Sequence, residues 1–414
     1  MGNDHLTATL TWLDHDETDR DRMNRILALF RERDTRDELG IGVIRDLIAD
    51  ELFPGTSTIQ TRLRYMLFVP WIYLKLEEKQ RDKKTFAEEA RRLEVAIVKA
   101  LIASGDDTAG VFGKRAGGGL KRLPSSVYWA GLGMWQIRRF QGSQDQYHTA
   151  IENIYSLRST RMRSEESARR RGEGHDAIYE DAAITWHPKL PGAPHGFPEE
   201  AGIHLLRDEA QFIQDQIVTT HTKSLLAHVI LLPLPSVAFP WEHPDLARFA
   251  AGHRELLHHA RLLSEITYGA AILYNLMLAE VQGSKELEEA RRGDAKDWLQ
   301  SLDRAALRQW SLNWVVPLAF AHEQVVSLQT LDFCGKWLGM VCAQGDSLFD
   351  DPAARSLIRA REIRLKGGRS RFTNPRALDQ WRGAAGLFRL NYRWPTVTQF
   401  ATDLQHGLAG DGHA

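Results

Sequence analysis

The stretch that decides the fold class is LLHHARLLSEITYGAAILYNLMLAE, residues 256–280, which has the apolar content of one long helix. Its most apolar part is bounded by Glu265, contains Asn275 and is interrupted by Glu280. It therefore falls short of the roughly 20 apolar residues that a membrane span requires. The other apolar stretch, residues 225–240, contains a histidine and three prolines. We predict that both are core segments of a helical protein.

Apolar residues recur at helical spacing in the rest of the chain as well. Met23, Ile26, Leu27 and Phe30 would share one helix face behind an acidic start. Further helices are predicted over residues 41–52, 86–103, 125–140 and 145–157. Alternating patterns typical of strands are nearly absent. The chain is predicted to be all-α, with two or three packed helical units, long loops and few or no strands.

Changes in composition divide the chain into four segments. We predict an N-terminal helical unit over residues 1–157, a loop-rich linker over 158–205, a central helical unit over 206–345 and a basic C-terminal unit over 346–414. The linker is rich in glycine and proline. A chain of 414 residues with 43% hydrophobic residues is long enough for several units and a sizeable core.

Charge and cysteine content bear on the compartment and the partners. The formal net charge is -1, so any attraction to a nucleic acid must be local. Cys334 and Cys342 are too far apart on a predicted helix for an unstrained disulfide, and no cysteine–histidine run indicates a zinc site. Residues 1–16 lack the regions of a signal peptide. We expect a cytoplasmic protein with no cofactor, no metal and no membrane association.

The strongest local charge lies in residues 355–393, which we call the basic segment. It contains eleven basic residues against two acidic ones, Glu362 and Asp379, and aromatic residues are interleaved with them. Guanidinium groups match phosphate oxygens and aromatic rings stack on bases, so this composition is typical of nucleic-acid contact. The predicted phosphate-binding residues are Arg359, Arg361, Arg364, Lys366, Arg369, Arg371 and Arg376. The aromatic residues expected either to stack on bases or to pack are Trp381, Tyr392 and Trp394.

The basic segment also has an alternative interpretation. Residues 1–52 contain 13 acidic and 7 basic residues, so the chain itself offers acidic surface that could pair with the arginines. A partner protein could offer such a surface too. From the sequence, phosphate contact and pairing with acidic protein surface both stay open.

Residues 39–71 form a second candidate, a helix-turn-helix-like segment. Its second helix is predicted to place Ile59, Leu63 and Leu67 on one face as far as Pro70. The residues that this helix would expose to phosphates or base edges include Gln60, Arg62 and Arg64. A capped helical hairpin packed in the core is the favoured alternative, because such turns are common in proteins that bind no DNA.

No enzyme active site is recognisable. The sequence contains no GxxxxGK[ST] phosphate loop, no HExxH zinc motif and no GxSxG nucleophile elbow. The glycine-rich segment 113–123 is interpreted as a surface loop rather than a phosphate cradle. His258 and His259, near Glu255, are consecutive and so do not share a helix face as paired metal ligands would. Catalysis is therefore not predicted, although acids from separate helices could still meet in the fold.

Several short segments carry a family resemblance. They are DELGIGVIRD at 37–46, LFPGTSTIQTR at 52–62, FVPW at 68–71, LPSSVYW at 123–129, FPWEHP at 239–244, NPRAL at 374–378 and YRW at 392–394. Together they resemble a bacterial family of unknown function whose domain is about as long as this chain. The most specific part is residues 37–71, which we call the N-terminal block.

The resemblance implies a gene neighbourhood of helicases and phospholipase-D-like proteins in phage-defence islands. It supplies no catalytic residues. We therefore expect a non-catalytic, nucleic-acid-associated component of a bacterial phage-defence complex, with DNA and those neighbouring proteins as partners. Two alternatives stay open, namely a protein–protein adaptor without DNA contact and an unrecognised metal-dependent hydrolase or nuclease.

Overall fold

The computed structural model describes residues 37–104, 110–112, 122–171 and 184–410, with the backbone alone for residues 164–171. In these ranges the chain forms fifteen α-helices and no strand, which confirms the predicted all-α class. One isolated β-bridge joins Arg138 to Trp186. The helix predicted around residues 23–30 and most of the glycine-rich segment 113–123 lie outside the described residues.

The N-terminal half of the described chain contains the helices α1 (Gly42–Leu52), α2 (Tyr65–Glu78), α3 (Lys83–Ala103), α4 (Pro124–Met134), α5 (Gln144–Arg171), α6 (Arg207–Thr220) and α7 (Leu225–Val229). The C-terminal half contains α8 (Ala251–Gln282), α9 (Lys285–Ser301), α10 (Arg304–Gln309), α11 (Val315–Ala321), α12 (Leu328–Gln344), α13 (Pro352–Lys366), α14 (Pro375–Asp379) and α15 (Trp394–Ala409). Short 3-10 helices lie at Pro240–Glu242, Leu246–Arg248, Gly345–Ser347 and Gly367–Arg369.

Helix α8 is the long helix that the apolar stretch predicts. Among the described helices it is the one with the length and composition of a membrane span, and 89% of its most apolar window is buried inside the protein. Helix α9 folds back along it, and the indole N–H of Trp298 donates to the Glu265 carbonyl at 3.0 Å. Gly269 lies so close to this ring that a Cβ would overlap it. Helix α8 is therefore a core helix.

Most predicted helices are confirmed, but several ends are displaced. Helix α1 matches the predicted residues 41–52, and α3 begins slightly before residue 86. Helix α4 ends at Met134 because Gln136 adopts a positive φ of 55°. Helix α5 continues through residues 158–171, which the sequence places in the loop-rich linker. Glycine and proline are absent from that stretch, so nothing in it ends the helix.

The two ends of the described chain pack together. One hydrophobic core includes residues from Leu39 to Leu404, and α15 packs against α6. At the start of α15 the ring of Trp394 lies 6.0 Å from that of Phe53, which directly follows α1. The Trp394 indole also donates to the Val237 carbonyl at 3.1 Å. This packing brings the basic segment against the N-terminal block.

Candidate functional site

The N-terminal block begins with a tight turn that leads into α1. The Asp37 carboxylate accepts hydrogen bonds from the backbone N–H groups of Ile41 at 3.0 Å and Gly42 at 2.7 Å, which have no partner within the helix. Gly40 has a φ of +69°, and a Cβ there would lie 2.8 Å from the guanidinium of Arg361. Both the turn and the approach of this arginine therefore require glycine.

Arg361, on α13, is buried beneath this turn. It is 7% exposed and donates to the carbonyl oxygens of Leu39 at 2.9 Å and Gly40 at 3.2 Å, and to the Thr330 hydroxyl at 2.9 Å. Burial lowers the pKa of Arg361 from its ordinary value, but a guanidinium stays charged over the accessible pH range. Arg361 thus fixes the N-terminal block to α13 and is not available to an external phosphate.

Lys366 and Arg371 converge on one carboxylate, that of Glu38. Both side chains bind its Oε2 atom, Arg371 at 2.6 Å, and Glu38 is only 8% exposed. Arg371 also donates to the hydroxyl of Tyr274 at 2.8 Å, while its backbone N–H donates to Glu362 at 2.9 Å. For these two residues the geometry favours pairing with a carboxylate of the same chain over contact with an external phosphate.

Three further arginines of the basic segment pair with carboxylates inside the molecule, namely Arg355 with Glu280, Arg389 with Glu265 and Arg393 with Asp50. Arg393 also donates to the carbonyl of Thr56 at 2.8 Å, so it holds the turn after α1. We call the residues that bind the N-terminal block the inner set, and they are Arg361, Lys366, Arg371 and Arg393.

The remaining arginines of the basic segment form an outer set whose side chains are exposed, namely Arg359, Arg364, Arg369, Arg376 and Arg382. Within the described ranges no carboxylate forms an ion pair with Arg359, Arg364, Arg376 or Arg382. The Arg359 guanidinium lies over the Phe372 ring at 5.0 Å. Asn374 donates to the Gly368 carbonyl at 2.7 Å, which holds the loop between α13 and α14. The outer set is thus presented by an ordered support.

The expected exposure of Gln60, Arg62 and Arg64 is wrong. Helix α2 begins only at Tyr65, and the three side chains are 4, 5 and 5% exposed. The Gln60 amide closes a turn, since it accepts from the backbone N–H of Ser57 at 2.8 Å and donates to the nearby Gly55 carbonyl at 3.2 Å. Of the three apolar residues whose spacing predicts a helix here, Ile59 and Leu63 lie in a packed, non-helical segment and Leu67 lies in α2.

Arg62 and Arg64 each hold a distant part of the chain. Arg62 pairs with Asp403 of α15 at 3.0 Å, and Arg64 pairs with Glu209 of α6 at 2.7 Å. All four side chains are nearly fully buried. These pairs tie the N-terminal block to the two helices that cover it, so we do not propose them as nucleic-acid contacts.

Aromatic residues in and directly after the basic segment are mostly internal. Trp381, Tyr392 and Trp394 are buried. The Trp381 indole N–H donates to the amide oxygen of Asn275 at 3.0 Å, and the Tyr392 hydroxyl donates to the Ala260 carbonyl at 2.8 Å. Of the two roles expected for these residues, the structure shows packing. The exposed aromatic ring of the segment is that of Phe388.

Two possible elements of a catalytic centre are a metal site and a reactive cysteine thiol. Among them, no group of three or more His, Cys, Asp or Glu side chains could hold a metal ion. Burial raises the pKa of the Cys334 thiol to about 12, so it is not a thiolate at neutral pH. Sequence reasoning missed the roles of Glu38 and Tyr274. The acidic balance of residues 1–52 was a signal for Glu38, and no sequence signal pointed to Tyr274.

Comparison with known proteins identifies a family and no function. No curated protein and no solved structure matches the chain. The sequence model of a family of unknown function (DUF6361) matches residues 7–407, a span that includes both the N-terminal block and the basic segment. The chain therefore belongs to this family of unknown function, as its short conspicuous segments predict.

Proposed function

We propose that the chain is a non-catalytic, nucleic-acid-associated component of a bacterial phage-defence complex in the cytoplasm, and that its outer set contacts phosphate. The observation that carries the proposal is the exposure of Arg359, Arg364 and Arg376 without a carboxylate partner among the described residues. The defence setting and its partners, a helicase or a phospholipase-D-like protein, rest on the family resemblance.

The chemistry of the outer set suits a phosphate backbone. A guanidinium is planar, permanently charged and able to donate two parallel hydrogen bonds to phosphate oxygens. In the basic segment the acidic residues are Glu362, which is buried, and Asp379. Little negative charge of the segment itself therefore opposes an approaching strand.

The inner set supports this function indirectly. Because Arg361, Lys366 and Arg371 are bonded to the N-terminal block, the helix and loop that carry the outer set are held on a rigid base. A fixed support lowers the conformational entropy lost when the exposed side chains bind a ligand. The inner set is a positioning element and the outer set would make the contacts.

The proposal is tested by fluorescence anisotropy with single- and double-stranded DNA across a salt series. The test variant changes Arg359, Arg364 and Arg376 to alanine. The matched control changes three exposed basic residues of α3, Lys84, Arg92 and Lys99, to alanine and so removes the same charge.

Wild-type affinity should fall steeply with salt. In the test variant the log–log slope should shrink by about 0.7 to 0.9 for each phosphate contact removed. The control should bind like the wild type. Absence of binding at low salt, or an equal loss in both variants, would contradict the proposal and leave the protein–protein adaptor as the leading alternative.

A further inference from the structure

A cleft far from the basic segment in sequence lies between the start of α8 and the chain around α10. Its lining includes Glu255, His258, His259, Trp310 and Trp314, and its volume is about 470 Å³. That volume lies within the roughly 300 to 1,000 Å³ typical of small-molecule sites. The cleft takes no part in the contacts between the basic segment and the N-terminal block.

His259 is held in one orientation at the wall of this cleft. The Trp310 indole N–H donates to the Nδ1 atom of His259 at 3.0 Å. The His259 ring stacks on that of Trp314, with centroids 4.7 Å apart and an interplanar angle of 6°. An Nδ1 atom that accepts a hydrogen bond carries no proton, so the imidazole is neutral with its proton on Nε2. Burial, which lowers the pKa of His259, favours the same state.

Glu255 supplies the negative charge of the cleft. It lies one helical turn before His259, and its Oε1 atom is 4.0 Å from His259 Nε2, which is too long for a direct hydrogen bond. Its side chain is 75% exposed, so the carboxylate stands at the mouth and is open to solvent. The nearby cation Arg261 is paired with Asp303 at 3.5 Å. None of the lining residues is a lysine or an arginine.

We propose that this cleft binds an organic cation, a guanidinium or alkylammonium group, between Glu255 and the indole rings. The carboxylate would form the ion pair, and the negative faces of the two tryptophan rings would offer cation–π and apolar contact. The Trp310 and Trp314 centroids are 6.5 Å apart at an interplanar angle of 32°, so the rings form an angled wall rather than a closed stack. This inference is independent of the proposed nucleic-acid contact.

The ligand group has two sources, a free small molecule or the arginine or lysine side chain of a protein. The experiment is isothermal titration calorimetry of the full chain with two probes, ethylguanidinium and the amide of N-acetylarginine. The test variants are Glu255→Gln, which removes the charge, and Trp314→Leu, which removes one ring. The matched control is Glu286→Gln, an exposed glutamate at the start of α9.

Both probes should bind the wild type, and affinity should fall about threefold in Glu255→Gln, because water screens an ion pair with so exposed a carboxylate. Trp314→Leu should also weaken binding, while Glu286→Gln should not. Tighter binding of the arginine amide would identify a protein side chain as the source, and equal binding would identify a free cation.

Failure of both probes to bind the wild type would overturn the inference. An unchanged affinity in Glu255→Gln would overturn it as well, because the carboxylate would then have no part in binding. Near-ultraviolet circular dichroism of each variant separates a lost contact from a lost fold.

Discussion

The inner and outer sets come from one stretch of sequence and have opposite environments. Arg361 and Arg364 are less than one helical turn apart on α13, yet the first is buried against the Leu39 and Gly40 carbonyls and the second is exposed. The difference lies in what each side chain faces, not in the residue type. A count of charge along the segment therefore overstates the surface that is available to a nucleic acid.

The two sets should also differ in their contribution to stability. Replacement of an exposed arginine lowers the free energy of unfolding only a little, since water screens and solvates its charge. A buried arginine satisfies carbonyl oxygens that are largely shielded from water, and its removal leaves them without a donor. Substitutions that separate stability from binding can therefore test the division directly.

The largest expected effect is that of Arg361→Met, which keeps the length of the side chain and removes its donors. The Leu39 and Gly40 carbonyls and the Thr330 hydroxyl lose their partner, so the free energy of unfolding should fall by about 3 kcal/mol. Denaturant unfolding followed by tryptophan fluorescence measures this. Arg364→Met on the same helix is the control, and equal effects of the two variants would erase the distinction between the sets.

A buried carboxylate outside both sets sharpens the comparison. Glu94 is 1% exposed and accepts hydrogen bonds from the backbone N–H and hydroxyl of Ser125 at 2.8 and 2.7 Å. Burial raises its pKa to about 7. Since the folded-state pKa lies above the unfolded value, the stability that Glu94 contributes is full below pH ~4.5 and is lost as the pH rises through about 7.

The free energy of unfolding should therefore contain a decrease of about 2 kcal/mol between pH 5 and 8 that Glu94→Gln removes. The measurement is a series of denaturant curves for both proteins over that pH range. Parallel pH profiles for the wild type and the variant would show that Glu94 does not titrate in this window. Glu89→Gln, at a less buried position of the same helix, controls for the change in charge.

The smallest expected effect on stability is that of the outer set. Arg359, Arg364 and Arg376 changed together to alanine should alter the free energy of unfolding by less than about 1 kcal/mol, because each exposed site contributes at most a few tenths. The same variant should show the loss of DNA affinity described above. Thermal unfolding of this variant beside the wild type measures the first effect, and a large drop in melting temperature would mean that these residues are structural.

The sequence was sufficient for the fold class but not for the division of the arginines. Periodic apolar residues predict α8 and α3 because a helix face is a local property. The partner of Arg62 is Asp403, several hundred residues away, and the partner of Arg64 is Glu209, more than a hundred residues away. No local pattern reports such contacts. The apolar spacing of residues 59–67 is likewise a local pattern. It therefore predicts a helix and carries no information about these distant pairs.

The meeting of the N-terminal block with the basic segment has a consequence for protein synthesis. The residues that cover Leu39 and Asp50, namely Arg361 and Arg393, follow them by 322 and 343 positions. In a nascent chain the N-terminal block therefore stays uncovered, and that part of the core is finished only after residues 361 and 393 have been synthesised. A premature stop shortly before residue 361 would leave the aromatic and apolar residues of the block exposed, and such products should be recognised by chaperones and proteases rather than accumulate as smaller folded domains.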